Sequence, residues 1–171
     1  MRRKLTGVLL LSVAIVAGAL YHARKAMATA PTSGYTSTTL AQGRSNVIDV
    51  TNYLVPSKGD AWLSFDKTTA QSDVYVQNNV WQPGADTGWH THPGHSLIVV
   101  TEGTVTDYEG HDPSCKPHVY TVGMAFVDAG GNHSHIIRNE TTSEASTIAT
   151  QVIPAGQPRR IDVPDPGNCH F

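Results

Sequence analysis

Charge is scarce in this sequence. Only 15% of its 171 residues are Asp, Glu, Lys or Arg, and aromatic residues contribute 7%. Cysteine occurs twice, as Cys115 and Cys169. Two thiols so far apart do not make a zinc–thiolate site. No stretch after residue 28 keeps a helical period for three turns, which argues against a helical bundle. No internal repeat is visible. There is no GxSxG, P-loop or dinucleotide fingerprint, so nucleophile-elbow and nucleotide chemistry have no sequence support. Basic residues are missing where a nucleic-acid partner would need them. Five of the twelve (Arg2, Arg3, Lys4, Arg24, Lys25) precede residue 29, and no acidic residue does. The remainder carries seven basic against fourteen acidic residues, a net charge of −7. No basic patch survives, and nucleic acid is not an expected partner.

The N-terminus has a different composition. A basic "MRRK" precedes the uncharged apolar run "LTGVLLLSVAIVAGAL", and "AMA" offers small residues where a signal peptidase reads. Residues 1–28 are expected to be a secretory signal. Arg24 and Lys25 sit between the apolar run and the cleavage site, where charge is unusual. An uncleaved N-terminal membrane anchor is therefore the alternative. Either way the chain is expected outside the cytoplasm, periplasmic or secreted. In that setting Cys115 in "DPSCKPH" and Cys169 in "PGNCHF", both in turn-forming sequence, are expected to form a disulfide that pins the Pro-rich tail.

Apolar residues make up 39%, with 15 Gly and 10 Pro, a composition suited to a turn-rich β domain. Residues 29–59 read as a linker and N-terminal extension, rich at first in Thr, Ser, Gly and Ala. Short segments with strand character then follow at 61–66, 73–82, 96–101, 104–109, 118–122, 124–128, 135–139 and 146–153, with a hairpin turn at Glu102-Gly103. Eight short strands with tight turns imply an all-β sandwich or barrel over 60–155, with a tail at 156–171.

The stretch "GWHTHPGHSLIVVTEG" (88–103) holds three histidines in six residues. His90 and His92 are two apart, so on an extended chain they face one side and can share a metal ion. "DAGGNHSHIIRN" (128–139) repeats the arrangement with His133 and His135. Two such pairs, each after a glycine turn, point to a metal site. His111, His118 and His170 read as surface or turn residues. Asp107 and Glu109 alternate on a strand and read as a solvated face. Asn132 and Asn139 open N-x-Ser/Thr sequons that overlap the histidine stretch and read as coincidence. Trp81 and Trp89 read as core.

These residues resemble the cupin family. Gly84, His90, His92 and Gly103 fall on that family's first motif, G(X)5HXH(X)3–4E(X)6G. Gly123, Gly131, His135 and Asn139 fall on the second, G(X)5PXG(X)2H(X)3N, with one extra residue before the histidine. The resemblance covers about 60–155. It implies a single jelly-roll β-barrel holding a divalent ion (Fe, Mn, Ni, Zn or Cu) on histidines from both motifs. It departs from the family at two positions. Ser96 stands where the first motif has glutamate, and Ala129 where the second has proline. The expected ligands are His90, His92 and His135, which keeps its spacing to Asn139. His133 is the alternative to His135. His95 is a candidate stand-in for the glutamate, although on a strand it faces the other way.

Three neutral imidazoles without a carboxylate would leave the ion's charge uncompensated and favour an anionic small molecule. Ile98, Val100 and Phe126 are the expected apolar walls. The functional expectation is a metal-dependent enzyme on a small, anionic molecule. The alternatives are a metal- or ligand-binding protein without turnover, and a jelly roll whose metal site has decayed. A second copy of the chain is the other candidate partner. Metal is expected to leave as pH falls through roughly 6 to 5, where free imidazole takes up protons. Ser96→Glu is expected to raise affinity.

Overall fold

A computed structural model describes residues 27–171, so the signal-or-anchor reading of the N-terminus falls almost wholly outside the described residues. Among them the regular elements are all strands, and no helix is long and apolar enough to cross a membrane. One five-stranded sheet runs β1 (Tyr35–Ser45), β4 (Ser72–Trp81), β11 (Ala145–Pro154), β6 (Ser96–Glu102), β9 (Ala125–Asp128). The second runs β12 (Ile161–Asp162), β5 (His90–Thr91), β10 (His135–Arg138), β7 (Thr104–Glu109), β8 (His118–Thr121). β2 (Asp49–Leu54) and β3 (Trp62–Lys67) form a separate hairpin with Trp62, Leu63 and Phe65 exposed. Every strand pairing among the described residues is antiparallel. The two sheets face each other as a jelly-roll sandwich and are not closed into a barrel.

Alternation decides which side chains point inward. Along β6, Ser96, Ile98 and Val100 are buried while Leu97 and Val99 are exposed, as a period of two requires. Trp81, Ile98, Val100, Phe126 and Ala149 from one sheet meet Val105 and Ile137 from the other in one core. The hairpin turn expected at Glu102-Gly103 joins β6 to β7. Gly103 has φ +63°, and a Cβ there would lie 2.4 Å from the Glu144 carbonyl oxygen, so only glycine fits the turn.

The eight predicted strands all occur, with ends shifted by a residue or two. The extension does not stay a linker. Residues 35–45 form β1, an edge strand paired along β4 with a bulge between Thr39 and Ala41. β1 is exposed along almost its whole length, so no hydrophobic period marks it. Its threonines still favour an extended backbone, and polar residues suit a sheet edge.

The tail behaves as expected. Cys115 and Cys169 form a disulfide across a sequence separation of 54, which fits an oxidising, extracytoplasmic environment. Cys169 packs with Trp89, Tyr108 and Ile136 in a second cluster. Phe171 lies edge-on to Tyr108, and the Arg138 guanidinium sits 3.9 Å from the Phe171 ring centre. The tail thus covers the outer face of the second sheet, leaving β10 buried on both sides. Chain entropy for a loop of this length is worth about 4 kcal/mol. Cys115→Ser/Cys169→Ser should lower the urea midpoint accordingly. An unchanged midpoint would mean that the aromatic contacts alone hold the tail.

Candidate metal centre

β5 and β10 pair with His90 directly opposite His135. Opposed residues of an antiparallel pair project to the same face, and the two rings stand 4.6 Å apart. His92, two residues further on, joins that face with its ring 4.9 Å from His90 and 6.1 Å from His135. His90 and His135 are buried and His92 nearly so.

The second nitrogen of each ring is tied down. His90 Nδ1 lies 2.9 Å from the Gly88 carbonyl oxygen, and His92 Nδ1 contacts the Arg159 carbonyl oxygen. A carbonyl only accepts, so both Nδ1 atoms carry the proton. His135 Nδ1 donates to Asp107 Oδ1 at 3.1 Å. The free lone pairs of His90 and His92 are therefore on Nε2. His135 Nε2 is buried without any hydrogen-bond partner. One ring nitrogen from each histidine lies within 4.8 Å of the others. This donor set suits a divalent ion, with imidazoles oriented by an outer carboxylate and two outer carbonyls.

A carboxylate also reaches the site. Ser96 on β6 pairs with Asp128 on β9. Asp128 Oδ2 lies 3.3 Å from His92 Nε2 and 3.8 Å from His135 Nε2. Ser96 Oγ donates to the same oxygen at 3.4 Å, and the Gly130 N–H donates to Oδ1 at 2.8 Å. Two ligands of one tetrahedral ion, each 2.0–2.2 Å from it, stand roughly 3.3–3.6 Å apart. The His92–Asp128 separation matches that spacing. Asp128, the cross-strand neighbour of position 96, thus brings a carboxylate beside two of the three histidines. Asp128 was not singled out from the sequence, because no local spacing links it to His90 and His92. Strand pairing of "SLIV" with "AFVD" was the signal that could have found it.

Asp107 also departs from expectation. It is buried rather than solvated, because its strand face lies under His135. His95 precedes β6, lines a separate cleft with Pro93, Gly94 and Val152, and is not part of the triad. His133 is not in the triad either; its ring lies 5.2 Å from that of His111. The Asn139 side chain is buried and donates to the Trp81 and Ser143 carbonyl oxygens, which leaves its sequon inaccessible.

Electrostatics divide the triad. Burial pushes His90 well below the usual histidine value, and nearby His135 and Arg160 add to this. Burial also lowers His92, against the pull of Asp128. Burial alone would lower His135, but Asp107 and Asp128 outweigh it and raise its pKa to about 9. Without metal, His135 is therefore protonated on both ring nitrogens at neutral pH, whereas burial favours the neutral form of its two neighbours, with the single proton on Nδ1.

The triad opens on a cavity of about 90 Å³ lined by Tyr35, Gln77, Asn79, Gln151, Arg159 and Arg160 among others. Ile98 lines it, whereas Val100 and Phe126 belong to the core below. The walls are more polar than expected. Gln77 donates to Gln151 at 3.2 Å, Asn79 to Thr147 at 3.3 Å, and Tyr35 to Asn79 at 3.1 Å. This volume admits several waters but is well below that of pockets for drug-sized ligands.

No family model and no curated protein matches the sequence. Among solved structures, a cupin-like protein from Thermotoga maritima is similar at 22% identity, with a TM-score of 0.44 over 54% of this chain and 65% of that one. An oxalate oxidase bound to the substrate analogue glycolate is similar at 21% identity, TM-score 0.45, over 53% and 46%. Peruvianin-I, a cysteine peptidase from Thevetia peruviana latex, is similar at 24% identity, TM-score 0.44, over 53% and 56%. The matches span about half to two thirds of those chains. These proteins differ from one another, and the likeness is one of all-β fold alone.

Proposed function

We propose that this chain is an exported, metal-dependent enzyme of cupin type acting on a small anionic molecule, with His90, His92, His135 and Asp128 holding one divalent ion. The observation that carries the reading is the orphaned, buried Nε2 of His135 beside the free Nε2 atoms of two neighbours whose Nδ1 atoms are occupied. A bound divalent ion would supply positive charge to an anion and polarise the atoms it holds.

The chain's own groups do the rest. Ser96 and the Gly130 N–H fix the Asp128 carboxylate. Arg159 and Arg160 line the cavity and attract an anion. Trp81 also lines it, and its buried Nε1–H has no hydrogen-bond partner, so a ligand oxygen would satisfy it. A cysteine-nucleophile mechanism has no group to use, since both cysteines are in the disulfide.

A second reading, binding without turnover, is favoured by Asp128 itself. Four protein ligands close a tetrahedral zinc site, whereas iron, manganese or nickel with higher coordination keeps positions open. Metal analysis of protein isolated from its own compartment, followed by assay of the loaded protein on small oxo-acids, neutral sugars and diketones, separates the readings. We expect one inner-site equivalent of an open-coordination metal and metal-dependent turnover of an anionic compound, weakened by Arg159→Ala. Zinc with no turnover would support the binding reading. Metal-independent binding of neutral sugars would refute both.

A further inference from the structure

We propose that Glu109, His111 and His133 form a second divalent-metal site, separate from the inner triad, suited to a zinc- or copper-type ion. One donor atom from each lies within 4.8 Å of the other two. Glu109 Oε2 stands 3.5 Å from His111 Nδ1, inside the roughly 3.3–3.6 Å expected of two ligands on one tetrahedral ion. That oxygen is inaccessible to solvent yet has no hydrogen-bond partner. A buried carboxylate oxygen without a donor is costly, and an ion shared with two imidazoles would satisfy it.

The scaffold holds these residues in place without the ion. Glu109 ends β7, and Gly110 N–H donates to the Ser134 carbonyl oxygen at 2.7 Å. This bond ties the loop of His111 to the loop of His133. Asn168 Nδ2 donates to the carbonyl oxygens of Glu109 and Asp112, at 2.9 and 2.6 Å. The neighbouring Cys169 is bonded to Cys115 in the same loop. The tail therefore clamps the segment carrying two of the three ligands.

Two imidazoles and one carboxylate favour zinc or copper over magnesium or calcium. His111 and His133 are exposed, which leaves the remaining coordination positions to water or to a donor from outside. The second HxH pair of the sequence thus divides. His135 faces inward, and His133 serves the outer group.

Zinc titrated into the metal-stripped full chain, then measured after desalting, tests this. We expect two equivalents in the wild type. His111→Ala/His133→Ala should retain one, and His92→Ala should retain the other. The outer site would then survive failure of the inner one, and the reverse. A Glu109→Gln variant, which keeps the shape, should lose the outer equivalent as well. The proposal is overturned if the wild type retains a single equivalent that His92→Ala removes, or if His111→Ala/His133→Ala retains as much zinc as the wild type.

Discussion

Asp128→Asn should weaken metal binding at the inner site by more than the roughly 10- to 100-fold that loss of an outer-shell partner costs. The amide keeps the shape of the side chain but removes its charge, and Oδ2 is the atom that stands 3.3 Å from His92 Nε2. Adding Ser96→Glu to Asp128→Asn should recover much of the loss, because the two positions face each other across β6 and β9. Ser96→Glu alone should not raise affinity, contrary to the expectation from sequence. Position 96 is buried beside Asp128, and two carboxylates there would repel. His92→Ala should abolish stoichiometric inner-site binding, and His95→Ala should leave it unchanged. Competition titration against a chelator of known affinity measures all five variants. An Asp128→Asn protein within threefold of wild type would remove Asp128 from the ligand set.

Affinity should also fall tenfold for each pH unit below about 9, the raised value of His135. The ion must displace the proton that Asp107 and Asp128 stabilise on that ring. Loss of metal therefore begins far above the window of roughly 6 to 5 expected for a free imidazole. Near pH 7.5 about one proton should be released per inner-site ion, which calorimetry in buffers of different ionisation enthalpy detects. Asp107→Asn should weaken this dependence by removing a carboxylate that raises His135. A release near zero in the wild type would mean that His135 is already neutral.

The same groups set the stability of the metal-free protein. His135 is raised above the ordinary 6.5, so its contribution is complete below pH 6.5 and disappears as pH rises through about 9. His90 is lowered, so its burial destabilises the fold as pH falls below 6.5, where the unfolded chain gains a proton. Stability should peak near pH 6.5 in thermal melts of stripped protein. A steady rise from pH 6.5 to 9 would contradict the charge assignment.

The strands that alternate were legible before the fold was known. β4, β6 and β11 each carry one buried face, and that leaves a period of two in the sequence. β1 was not legible, since an exposed edge strand is held by backbone pairing with β4 and needs no apolar face. β5 and β12 are two residues each, too short for any period. His90 and His92 could be paired because local spacing signals a shared face, whereas His135 was favoured over His133 only through its spacing to Asn139 in the resemblance to the second cupin motif. Asp128 and Asp107 could not, because each meets its histidine through strand pairing or across the sandwich, over separations of 36 and 28 residues. Arg159 and Arg160 reach the cavity from the tail, for which a linear reading offers no cue.

X-ray absorption at the metal edge tests the inner site most directly, on His111→Ala/His133→Ala protein loaded with one equivalent. The account predicts three imidazole nitrogens at about 2.0–2.1 Å and one carboxylate oxygen at about 2.0–2.2 Å if the ion is zinc. A first shell with one imidazole or none, filled by water oxygens, would contradict it.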